Sequence, residues 1–263
     1  MSSTLWQREV RRQIDAGIGS FEHAHLNEID LSGIRIKRAS FAATSLRGAS
    51  LRGATLVHVD LTGADLLEAD LEGASFQMCA FGGAVAARAS ARRSMWHQCL
   101  MTGTRLEQAT LRGALLDGCD LRGANLARAD LAAATLSGCQ LGEANLAGAN
   151  LRWATTSACD IMGADLRGAR RFFMCRDFVA EVFDRHAGRG TERRTALGMI
   201  RGETRWCYRE WRDHLADHPD LHMTGLEIFD LYPESGCREA LEQGWTFPAR
   251  LELGATPSDT DDA

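Results

Sequence analysis

Arg122 to Leu136 reads RGANLARADLAAATL, and this stretch decides the fold. Leu126, Leu131 and Leu136 stand five residues apart, and two places before each comes Ala124, Ala129 or Ala134. A period of five matches neither an α-helix nor a strand, whose side chains repeat about every 3.6 and 2.0 residues. On a helix, one large residue in five would be scattered at steps of about 140° and form no stripe. A chain that bends through a fixed angle in every unit does satisfy the pattern. Each unit then turns one bulky and one small side chain inward, and stacked units bury them in a continuous core.

Outward from this stretch the same phase runs from Phe21 to Leu166 without insertion or deletion. Leu46, Leu51, Leu61, Leu66, Leu71, Leu111, Leu121, Leu126, Leu131 and Leu146 are its predicted core positions. Glycine recurs two residues after the leucine, as at Gly113 and Gly123, where a tight turn tolerates it best. Between Ala84 and Gly103 the bulky place falls to Ala86, Ala91, Trp96 and Met101, which predicts a locally thinned or distorted coil.

The units ADLEG (Ala69 to Gly73), ANLAR (Ala124 to Arg128), ADLAA (Ala129 to Ala133) and ANLAG (Ala144 to Gly148) resemble those of pentapeptide-repeat proteins. The resemblance covers residues 21–171, more than half of the chain. It implies a β-solenoid, a right-handed quadrilateral β-helix with four pentapeptides per coil. About seven to eight coils would stack into a rod roughly 36 Å long at a strand spacing of about 4.8 Å.

A solenoid exposes apolar ends and edge backbone, so it needs caps. Leu5, Trp6, Val10 and Ile14 predict a capping helix within residues 1–20. After Arg171 the period of five vanishes and the spacing becomes helical, with Phe172, Phe173, Phe178, Val179, Val182 and Phe183 on one face. Thr191 to His218 reads as a longer helix stopped by Pro219, and a shorter one follows around Glu234 to Gln243. Residues 172–252 are expected to form a small α-helical domain docked on the last coil, and 253–263 a disordered acidic tail.

Charge divides along these lines. Of the 263 residues, 35 are acidic and 30 basic, a net of −5. Residues 172–263 hold 18 acids and 11 arginines (11 − 18 = −7), whereas 21–171 hold 15 acids and 16 bases (16 − 15 = +1). The negative total disfavours direct nucleic-acid binding through phosphates. No apolar run approaches about eighteen residues, which predicts no membrane span. The N-terminus carries Glu9 and Asp15 and lacks the apolar core of a signal peptide. The eight cysteines therefore read as reduced thiols of a cytoplasmic protein. Lys37 is the only lysine, a bias that suggests a GC-rich bacterial genome.

Cys79, Cys99, Cys119, Cys139 and Cys159 recur every twenty residues, one coil of the implied fold, and all hold the small inward place. Cysteine substitutes for alanine as a small buried hydrophobe, and the column follows from duplication of a twenty-residue unit. A soft-metal or modification site is the alternative, against which inward burial argues. His214, His218 and His222 recur every four residues near Cys207, but Pro219 interrupts them and no second ligand pair completes a metal site. Trp206, Tyr208 and Trp211 gather aromatic area, either as core or as an exposed partner surface. Arg88, Arg92 and Arg93 form either a solvated charge run or a contact site for an acidic partner. The repeat aspartates, such as Asp60, Asp120 and Asp165, belong to the turns, where side chains bond nearby backbone. No catalytic constellation, cofactor motif or metal centre emerges.

The leading expectation is a non-enzymatic scaffold that binds an unnamed protein, with the C-terminal domain recruiting it or pairing two copies as a homodimer. The resemblance also implies a second reading. Quinolone-resistance pentapeptide proteins resemble B-DNA and bind DNA gyrase, which would make this chain a DNA mimic. Such mimicry needs a strongly negative rod, whereas Arg52, Arg92, Arg112 and Arg152 are expected to align on one face.

Overall fold

Each pentapeptide turns a corner because the fourth residue after the small one, two after the bulky one, adopts a left-handed conformation. Gly33, Gly53, Gly73 and Gly113 do this at φ of 63–66° along one corner, a conformation that costs glycine nothing. On three sides of the coil the turn is closed by a backbone bond, as from the Ala24 N–H to the Phe21 carbonyl (3.1 Å), Ile29 to Leu26 (3.3 Å) and Ile34 to Leu31 (3.3 Å). Among the described residues the fourth side makes no such bond, and its three residues extend into a short strand.

The computed structural model describes residues 3–17, 19–186, 194, 197, 198, 200, 208–216 and 219–244. Helix α1 (Ser3–Asp15) is followed by β1 (Arg35–Lys37), β2 (Thr55–Val57), β3 (Ser75–Gln77), β4 (Met95–His97), β5 (Leu115–Asp117), β6 (Thr135–Ser137) and β7 (Thr155–Ser157). After these come α2 (Arg176–His186), α3 (Tyr208–Ala216), α4 (Pro219–Asp230) and α5 (Cys237–Gln243). The seven strands form one sheet in chain order, β1 to β7. Every pair is parallel with an offset of twenty residues, as Ile36↔Leu56 and Leu116↔Leu136. Six complete turns therefore separate β1 from β7, slightly fewer than the seven to eight expected, and the partial coils beyond them supply the remainder.

The core is the inner lining of this rod. All ten predicted leucines are 2% exposed or less. The weak stretch corrects the expectation of a distorted coil, because strand pairing passes through it unbroken, Phe76↔Trp96↔Leu116. Trp96 stacks on Phe76 at 4.2 Å and meets Phe81 edge-on at 5.1 Å, so one large ring offsets the small Ala86 and Ala91. Its indole N–H donates to the Ser94 hydroxyl at 2.7 Å, which in turn donates to the Ala91 carbonyl.

Helices finish both ends. Arg11 on α1 donates to the Asp30 and Ser32 carbonyls of the first coil. On α2, Asp177 accepts the Cys159 N–H at 3.1 Å and Glu181 accepts the Gly163 N–H at 3.4 Å, so carboxylates occupy the open edge of the last coil. Thr156, which stands where the repeat calls for leucine, accepts the Asp177 N–H through Oγ1. Phe172, Phe178, Val179, Val182 and Phe183 are buried. The longer helix expected over Thr191 to His218 lies mostly outside the described residues, which include α3 at its end. Pro219 does not merely stop a helix but opens α4, an element missed in the sequence. Proline suits this first position because its missing N–H would be unpaired there in any case.

Candidate functional site

The side that carries Asp30, Ser50, Asp70, Ser90, Thr110, Asp130, Asn150 and Arg170 bridges rung to rung in that order. The register stacks Arg52, Glu72, Arg92, Arg112, Ala132 and Arg152 in a second column of the same side, linked by bonds such as Gly73 N–H to Arg92 O and Arg93 N–H to Arg112 O. A third column at the leading corner contains Glu28, Glu68, Arg88 and Arg128.

Charge on this side reverses along the rod. Its first three rungs carry Glu28, Asp30, Glu68, Asp70 and Glu72 against Arg52 alone. From Arg88 to Arg170 it carries Arg88, Arg92, Arg93, Arg112, Arg128, Arg152 and Arg170 against Asp130 alone. A net of +1 over the repeats hides this polarity. Arg88 is held by Glu68 at 3.0 Å, and Arg112 lies 3.8 Å from Asp130. Arg92, Arg93, Arg128, Arg152 and Arg170 are exposed and have no ion pair with a described carboxylate. Arg93 holds a left-handed φ of 54° between Gly73 and Gly113 in the same column, a conformation that costs a non-glycine residue about 1–2 kcal/mol.

The basic strip ends at a cleft of about 600 Å³ between the last coil and α5, where Arg152 and Arg170 face Glu234 and the Arg171–Glu239 pair. On the neighbouring sheet side, Met95 and Leu115 are paired in register and are 48% and 43% exposed. A charged strip beside exposed apolar side chains is the makeup of a protein interface.

The other candidates fall elsewhere. Tyr208 and Trp211 are fully buried, which corrects their reading as a partner surface. The Tyr208 hydroxyl donates to the Phe173 carbonyl at 3.0 Å, and Trp211 packs edge-on against Phe183 and Phe229. Their apolar area belongs to the core of the helical segment. Trp206, His218 and Cys207 lie outside the described residues, as do the side chains of His214 and His222. The cysteine column is buried through Cys139 and half-buried at Cys159. Each thiol lies 3.4–3.5 Å from the carbonyl of the residue 23 places earlier, as Cys119 from Trp96 O. The thiol of Cys139 is pushed up to about 12, by its hydrogen bond with Cys119 and then by burial. Burial likewise lifts Cys237 to about 12. Among the described residues, no three His, Cys, Asp or Glu converge as metal ligands, and no helix is long and apolar enough to cross a membrane.

Two family models, described as "Pentapeptide repeat region" and "Pentapeptide repeats (8 copies)", match residues 69–146 and residues 20–53, 39–77, 49–85 and 134–170. Together they span more than half of the chain. The chain belongs to the pentapeptide-repeat family. A solved pentapeptide-repeat relative is HetL, involved in heterocyst differentiation regulation in the cyanobacterium Nostoc sp. strain PCC 7120. It is 31% identical over 62% of this chain and 94% of that one, with a TM-score of 0.33. QnrB1, a plasmid-mediated fluoroquinolone resistance protein, is 18% identical over 57% of this chain and 88% of its own, with a TM-score of 0.42. A pentapeptide-repeat protein of the Arabidopsis thaliana thylakoid lumen is 27% identical over 44% of this chain and 69% of its own, at 0.22. Comparison with curated proteins finds no match.

Proposed function

We propose that this pentapeptide-repeat protein is a non-enzymatic cytoplasmic scaffold whose basic side docks an acidic protein surface. The observation that carries this reading is the run of unpaired arginines, Arg92, Arg93, Arg128, Arg152 and Arg170, on one side of a rigid rod. Guanidinium groups are weakly hydrated and match carboxylates bidentately, so they suit an interface better than lysines would. The helical segment after residue 172 widens the dock or pairs two copies.

Labelled poly-L-glutamate, titrated by fluorescence anisotropy at low salt, tests the reading. The combined change Arg92→Glu and Arg152→Glu is expected to weaken binding at least about tenfold, as loss of two charge-assisted contacts should. Equal affinity of both proteins overturns it. The second reading, DNA mimicry at gyrase after the manner of the quinolone-resistance relatives, needs a continuous negative surface, which this side lacks beyond its third rung. Gyrase supercoiling is accordingly expected to be unchanged by the protein, and inhibition at micromolar levels would move the assignment to mimicry.

A further inference from the structure

Lys37, the only lysine in the chain, ends β1 on the sheet side of the rod. The strand register places Lys37, Val57 and Gln77 in one column, a rung apart. The bonds from Arg38 N–H to Val57 O and from His58 N–H to Gln77 O set Arg38 and His58 in the column beside it. At about 4.8 Å per rung, Lys37 and Gln77 stand roughly 10 Å apart with the short Val57 between them. Four long side chains around one short branched one leave a depression of about 550 Å³, lined by Lys37, Arg38, Val57, His58 and Gln77.

Every polar group in that lining can donate hydrogen bonds: an ammonium, a guanidinium fork, an imidazole and an amide. No carboxylate lines it. Arg38, Lys37 and the adjacent Arg35 form no ion pair with a described residue, although Arg47, Arg52 and Arg88 nearby are neutralised by Asp65, Glu72 and Glu68. A doubly cationic hollow with an apolar floor, each of whose polar side chains can donate, is complementary to a compact polyoxygen anion.

We propose that this depression binds the phosphate group of a phosphomonoester. Arg38 takes two phosphate oxygens with its fork, Lys37 supplies the point charge, and Gln77 and His58 donate to the remaining oxygen. Val57 carries the carbon side of the ester.

Isothermal titration of the full chain with inorganic phosphate and with glycerol 3-phosphate tests this, with sedimentation on phosphatidylcholine vesicles with and without phosphatidic acid as a second arm. Binding of glycerol 3-phosphate or of the vesicles with phosphatidic acid, the two phosphomonoesters, is expected, and the arm that binds tells a soluble ligand from a lipid headgroup. Lys37→Gln and Arg38→Gln are each expected to weaken it about tenfold or more, with unchanged thermal midpoints because both side chains are exposed. Arg92→Gln, on the docking side, is expected to leave it intact, which separates this site from the proposed interface. Absence of binding in both arms, or affinity indifferent to Lys37→Gln and Arg38→Gln, overturns the proposal.

Discussion

At the scale of single residues, the rod distinguishes two kinds of inward place. Leu121 fills the large one and is fully buried, so Leu121→Ala leaves a cavity that neighbouring rungs cannot close. A loss of about 2–5 kcal/mol is expected in urea unfolding. Cys119 fills the small place, where alanine stands in most of the other pentapeptides, so Cys119→Ala should cost no more than about 1 kcal/mol. Comparable losses in the two variants would contradict the division. The turn aspartates act differently. Arg122 grips Asp120 with two bonds, Nε to Oδ1 at 2.9 Å and Nη2 to Oδ2 at 2.6 Å, and Arg167 grips Asp165 likewise. These hydrogen bonds hold both carboxyls below the usual carboxylate range. A lowered folded pKa means that the stabilisation is present above the unfolded value of about 4 and is lost as pH falls from there through the lower folded value. The thermal midpoint is expected to drop across that window, and to drop less in a protein carrying Arg122→Gln and Arg167→Gln.

At the scale of elements, the caps matter more than the repeats they close. A parallel stack offers unpaired N–H and carbonyl groups at both of its ends, an invitation to add strands from another chain. α2 answers with Asp177 and Glu181, and α1 with Arg11. Asp177→Ala removes the acceptor of the Cys159 N–H and is expected to destabilise the last coil by about 1–3 kcal/mol. Amide exchange should speed up at Cys159 while the middle rungs around Leu121 stay protected, as expected where each repeat rests only on its neighbours. Uniform acceleration along the rod would show instead that the solenoid opens as one unit.

At the scale of the whole molecule, a nearly neutral repeat segment becomes an electrical dipole. The acids of one side gather in its first three rungs and the arginines in the remainder. Such a field steers an acidic partner toward one end and decays over about 10 Å at 0.1 M salt. Affinity for poly-L-glutamate is therefore expected to fall steeply between low and physiological salt. A flat salt response would show that the apolar neighbours Met95 and Leu115 carry the contact.

The sequence by itself determined the solenoid, its register and the inward leucines, because a period of five repeated in phase admits one way of burying its large residues. It also placed Arg92, Arg112 and Arg152 in one column, since twenty residues make one coil. Only the tertiary structure decided what packs across the period. Tyr208 and Trp211 read as core or surface until α3 is seen against α2 and α4. Trp96 reads as a defect until it stacks on Phe76. Arg128 and Arg170 join the basic side, and Lys37 and His58 meet around Val57, through contacts between neighbouring columns and coils. Such contacts depend on the length of each side chain and on which carboxylates reach which arginines, and neither quantity is written in the spacing of the repeat.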